Sequence, residues 1–97
     1  MFLRLENKNS ILEEYYTLLR KVQKSLLECK SELSRLRRLR CKCNNPETIA
    51  KIDEKIEKLI DTKTHLENII WYARKCRHHG RLNEALGVLR EVEGIES

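Results

Sequence analysis

The chain reads as an all-α protein: a long antiparallel helical hairpin, packed as a coiled coil, with a short third helix on its open end. Two apolar stripes and the break between them predict this. Leu12, Tyr15, Leu19, Val22, Leu26, Cys29, Leu33 and Leu36 alternate spacings of three and four, which keeps one narrow seam along about four heptads of helix. Ile49, Ile52, Ile56, Leu59, Leu66, Ile70 and Ala73 repeat that spacing, with Lys63 as a single polar interruption. Between the stripes stands Cys43-Asn44-Asn45-Pro46-Glu47-Thr48. Asparagine at a cap, proline at the first helical position and an acid just behind it signal a helix restart. With 36% charged residues, one proline and three glycines, the composition suits long solvent-exposed helices and is poorly suited to a sheet protein.

Taken in order, residues 1–9 are expected to be a lead-in, with Asn9 or Ser10 as N-cap and Glu13 and Glu14 in the first turn, where the helix dipole favours negative charge. The first helix is expected over 10–42 and ends in arginines and lysine. The second is expected over 46–79, with His78-His79-Gly80 as a basic last turn followed by a C-terminal glycine. Each long helix would measure about 45 Å at 1.5 Å per residue, and so short a connection forces them antiparallel. A third helix over 81–93 places Leu82, Ala85, Leu86, Leu89 and Val92 on one face, with Gly94 as its stop. All 97 residues fit one domain, short enough that partners or oligomerisation are expected from size alone.

The third helix should fold back onto the open end of the hairpin. There Ile69, Ile70, Trp71 and Tyr72 cover more than one face of the second helix, while Ile11 and Leu18 widen the stripe of the first. The expected core is Leu12, Tyr15, Leu19, Val22, Leu26, Leu33, Leu36, Ile52, Ile56, Leu59, Leu66, Ile70 and Trp71, with Tyr15, Tyr16, Trp71 and Tyr72 anchoring the third helix. Gly87 inside that helix costs about 1 kcal/mol relative to alanine, which suggests a close approach to an aromatic ring. Leu27, Leu39 and Ile60 fall off the seam, beyond reach of the third helix, and are the expected protein-binding residues.

The net charge of +5 is concentrated. Five basic residues and no acid lie between Arg35 and Lys42, and four more basic residues without an acid lie between Arg74 and Arg81; the remainder holds eleven basic against fifteen acidic residues. Arg35, Arg37, Arg38, Arg40 and Lys42 form a basic hairpin tip that could grip nucleic-acid phosphates or an acidic surface. The competing reading has them favouring the helix C-terminus and pairing with Glu47, Asp53, Glu54 or Glu57. No aromatic residue able to stack on bases sits at that end.

Catalytic and cofactor signatures are missing: no phosphate loop, no nucleophile elbow and no paired acid motif occurs. Cys41 and Cys43 together with Cys76, His78 and His79 form a zinc-like set, but antiparallel helices hold the two groups at opposite ends, so only two chains arranged head to tail could share a metal. Cys29 at a seam position reads as a small buried apolar residue, and His65 as a surface histidine. No cofactor and no small-molecule substrate are expected. No stretch approaches the roughly 20 apolar residues of a membrane span, and the N-terminus has no signal-peptide run. The four cysteines are therefore read as reduced thiols in a cytosolic or nuclear protein.

In IIWYARKCRHHGRLNEALGVL, Ala73, Gly80 and Ala85 fall at small-residue positions, and this segment, roughly 66–93, resembles one tetratricopeptide helix pair. Trp71 is out of place for that motif and the closing proline is absent, so the likeness is read as a local packing solution. PETIAKIDEKIEKLIDTKTHLENIIWYARK resembles the second helix of the small helical-hairpin co-chaperones of type III secretion needle subunits. That resemblance implies a cytosolic partner role, pairing with a tetratricopeptide-like chaperone to keep a needle protein unpolymerised. The longer hairpin, basic tip and third helix depart from that pattern. The functional expectation is a non-enzymatic interaction module, an adaptor, co-chaperone or complex subunit that assembles by coiled-coil packing with itself or another protein. The alternative is nucleic-acid or acidic-surface binding through the tip.

Overall fold

The computed structural model describes the backbone of residues 2–96 and the side chains of residues 10–92. Its elements are α1 (Phe2–Lys42), α2 (Pro46–His78) and α3 (Leu82–Glu96). The two long helices pack along each other and α3 packs on both. The result is a rod with principal extents of 67 × 21 × 17 Å.

Helix α1 starts earlier than the expected cap. Asn9 and Ser10 lie inside it, because the preceding residues Phe2 to Lys8 contain neither glycine nor proline and propagate a helix at little cost. Helix α3 likewise runs through Gly94 to Glu96. A glycine weakens a helix but stops it only where the chain turns left-handed.

That turn occurs at Gly80, with φ +75°. The Gly80 N–H donates to Arg77 O at 3.0 Å and the Arg81 N–H to Cys76 O at 2.7 Å, the two bonds of a Schellman motif. Arg81 then accepts from the Ala85 N–H at 3.1 Å and so begins α3 directly. At the other end, Asn45 caps α2 by accepting from the Glu47 N–H at 3.0 Å, with Pro46 in the first turn, as expected from the sequence.

The seam is buried where expected, at Tyr15, Leu19, Val22, Cys29, Leu33, Leu36, Ile52, Leu66 and Ile70, with Leu12, Leu26, Ile56 and Leu59 half-buried. With the seam residues as a and d of a heptad, Ile11 and Leu18 of α1 and Ile69 and Cys76 of α2 all occupy g, which antiparallel packing puts on one side of the hairpin. Helix α3 settles there. Leu18, Ile69 and Cys76 join Ala85, Leu86, Leu89 and Val92 in one core cluster, with Ile11 packed against it. Ala73, Ala85 and Leu89 are fully excluded from solvent, so two of the three small residues of the tetratricopeptide-like segment serve close helix packing, whereas Gly80 is exposed, has no atom within 4 Å of where a Cβ would stand and serves the turn instead.

Further along, the g positions are Ser25, Glu32 and Leu39 on α1 and Thr62, Lys55 and Thr48 on α2. Except at Leu39 the side that receives α3 turns polar there, and α3 does not extend over it. Lys63, at a seam position, keeps its ammonium at the surface and pairs with Glu67 at 3.4 Å, the behaviour of a snorkelling side chain.

Two expectations about the aromatic end are corrected. Trp71 is 62% exposed and belongs to no core; Tyr16 and Tyr72 are also exposed, so of the four aromatic residues Tyr15 alone joins the core at the open end. Trp71 and Tyr72 occupy b and c of the heptad, which point outward whatever the residue's hydrophobicity. A Cβ built on Gly87 meets nothing within 4 Å, so this glycine accommodates no ring.

Candidate functional site

Three surfaces carry side chains that packing does not consume. The first is the distal face. Leu27 is 64% exposed, Leu39 44% and Ile60 39%, but they do not form one patch. Leu39, at g, lies on the α3 side near the tip. Leu27, at b, and Ile60, at e, turn toward the opposite side, where the hairpin is only two helices thick.

The second surface is the basic tip. Two of its five cations are engaged: Arg35 forms a two-pronged pair with Glu32, and Arg40 reaches Asp53 of α2 at 2.5 and 3.3 Å. The hydrogen bond from Arg35, aided by the more distant Lys55, holds the Glu32 carboxyl below the usual carboxylate range. The same pairings push Arg35 and Arg40 above the ordinary arginine value. Arg37, Arg38 and Lys42 have no carboxylate partner among the described residues. A shallow groove of about 280 Å³ is lined by Arg35, Arg38, Leu39 and Lys42. The expected pairing across the hairpin is therefore realised for Arg40 alone.

The third surface is the open end, on the side away from α3. Tyr15, Tyr16, Leu19, Arg74, Arg77 and His78 line a depression of about 360 Å³. The Arg77 guanidinium lies 5.7 Å from the Tyr15 ring centroid and 5.3 Å from that of Tyr16. Burial raises the Tyr15 hydroxyl pKa, and the nearby Arg77 and Arg74 offset part of that rise. Lys75 Nζ stands 4.9 Å from the Trp71 ring centroid. Around the outer edge of α2, Trp71 and Tyr72 also border a groove of about 560 Å³ with His65, Asn68, Ile69, Val88 and Glu91. The sequence pattern does not single out this surface, because it expects Trp71 in the core and Trp71 and Tyr72 as anchors of α3. The heptad positions of these two residues were the available signal.

All four cysteines are free thiols. Cys76 is buried with its Sγ 3.9 Å from Glu84 Oε2, turned away from the exposed, edge-packed pair His78 and His79. Cys29 is buried against α2, its thiol donating to Leu59 O at 3.2 Å. Cys41 and Cys43 remain at the tip, so the structure does not bring the zinc-like set together within one chain. Among the described residues no three histidine, cysteine or acidic side chains converge on a point that could hold a metal. No helix among them is long and apolar enough to cross a membrane. Compared with known proteins, the chain matches no family model, no curated protein and no solved structure.

Proposed function

We propose that the protein is a non-enzymatic helical interaction module of the cytosol or nucleus, an adaptor, co-chaperone or complex subunit. Its two-helix distal half packs against an amphipathic helix from a second copy or another protein. The observation that carries this reading is the exposure of Leu27 and Ile60 on the side of the hairpin opposite α3, where none of the described residues covers them. Burying an aliphatic side chain of this size stabilises a complex by about 1.5–3 kcal/mol, so the pair could anchor one helix in a groove-docking mode. Light scattering on Leu27→Glu with Ile60→Glu tests it. The wild type is expected to exceed the mass of one chain, alone or with a candidate partner, and the double variant to lose that excess. An assembly indifferent to both substitutions would move the interface elsewhere.

A second reading rests on the three tip cations that lack a carboxylate partner: nucleic-acid or acidic-surface binding through Arg37, Arg38 and Lys42. Charge reversal at Arg37, Arg38 and Arg40 separates the two. Lost nucleic-acid retention with the assembly intact supports tip binding, and a lost assembly without any nucleic-acid effect supports the adaptor.

A further inference from the structure

We propose that the outer face of α2 at the open end of the hairpin binds single-stranded nucleic acid, with Trp71 as a base-stacking platform and Arg74, Lys75 and His78 along its phosphates. The four residues recur at i, i+3, i+4 and i+7, so they form one outward stripe about 10 Å long at 1.5 Å per residue. All four are exposed, and the indole is 62% open to solvent in a protein with a single tryptophan. The exposed Tyr16 lies across the hairpin from Arg74, bordering the same depression, and the Arg77 guanidinium faces its ring.

Charge complementarity selects the ligand. Arg74, Lys75 and Arg77 have no carboxylate partner among the described residues. The acids nearest this surface are Glu91 of α3, which borders the groove beside Trp71, Glu13, three residues before Tyr16, and Glu67, which holds Lys63. The surface therefore offers several uncommitted cations around aromatic planes. Sequence-independent binders of single strands combine these two elements, a cationic track for the backbone and rings on which bases stack. Lys75 is suited to this because its flexible stem can carry the ammonium from the indole face to a phosphate. An acidic peptide would satisfy the cations and leave the indole plane without a stacking partner. A membrane surface calls for exposed leucine or phenylalanine beside the tryptophan; on this stripe its neighbours are Arg74 and Lys75, and of the aliphatic residues in the adjoining groove Ile69 is buried and Val88 half-buried.

The test uses Trp71 as its own reporter. The full chain is titrated with an oligothymidylate of about twelve nucleotides, with phosphatidylserine–phosphatidylcholine vesicles and with polyglutamate, following tryptophan fluorescence. The oligonucleotide is expected to quench the emission, and its affinity to fall steeply between about 50 and about 200 mM salt. Arg74→Glu with Lys75→Glu, which keeps the fluorophore, should abolish the quenching. By fluorescence anisotropy of a labelled oligonucleotide, Trp71→Leu should lower affinity about tenfold. The exposed positions of all three residues predict unchanged helicity by circular dichroism. The proposal is overturned by an oligonucleotide that leaves the emission unchanged, or by vesicles or polyglutamate acting as strongly as the oligonucleotide. Binding that survives in the open-end variants and disappears on charge reversal at Arg37 and Arg38 would also overturn it.

Discussion

The open end and the tip of the hairpin share one heptad seam, yet one end is three layers thick and the other two. At the open end the g positions are Ile11 and Leu18 on one helix and Ile69 and Cys76 on the other, and α3 covers them. Toward the tip the corresponding residues are Ser25 and Thr62, then Glu32 and Lys55, the latter pair close enough for Lys55 to help keep the Glu32 carboxyl ionised. The a and d residues thus settle which helices pair, while g settles how far a third can follow. A few side chains beside the seam divide an end covered by a third helix from an end left two helices thick.

The sharpest way to break this comparison is to hollow each end in turn. Leu89 is fully buried at the centre of the three-helix core, so Leu89→Ala should cost about 2–5 kcal/mol, measured by urea unfolding. Leu33 is almost as buried but lies in the two-helix half, where neighbouring side chains and water can close over the gap. Leu33→Ala should fall at or below the lower end of that range, about 2 kcal/mol. Equal losses would mean that layer number does not govern how the core responds.

Most of this architecture was legible in the residues, and the departures have two causes. Seam spacing, the Asn45-Pro46 restart and the Gly80 turn depend on local chemistry, so hairpin, antiparallel pairing and folded-back α3 could all be read from them. For Trp71 and Tyr72 angular position outweighs hydrophobicity, and their b and c positions leave them in solvent. The early start of α1 and the passage of α3 through Gly94 were missed for a different reason: a cap residue or glycine permits a helix end without imposing one. At the candidate sites, exposure of Leu27, Leu39 and Ile60 was foreseeable, but their split between two sides needed the three-dimensional register. The tip pairings of Arg35 and Arg40 were a matter of rotamer and reach that spacing alone does not decide.

Gly87 gives a smaller and opposite effect at the same open end. It lies within α3, exposed, with no atom near the position its Cβ would occupy. Gly87→Ala should therefore raise stability by about 1 kcal/mol, through a less flexible unfolded chain and a better helix former. Thermal melting checks this. A destabilised variant would reveal a contact that α3 makes only in solution, and with it a different docking of the third layer.

Alkaline pH supplies the finest contrast between the two ends. Tyr15 is 1% exposed and its hydroxyl pKa is raised, chiefly by burial and against the pull of Arg77 and Arg74. A group whose pKa is higher folded than unfolded stabilises the fold fully below the unfolded value, here about 10, and that contribution is lost as pH climbs through the folded value. Wild-type stability should therefore fall above about pH 10, with Tyr15→Phe removing part of the decline and little of the stability at neutral pH. No tyrosine lies in the distal half, from Leu27 to Ile60, so the loss should begin at the open end. Hydrogen exchange on either side of that pH would show amides of α3 and the adjoining turns of α1 and α2 losing protection first. If amides near Cys29, Leu33 and Ile52 opened together with them, the two ends would form a single cooperative unit, and the division drawn by the g positions would be one of surface alone.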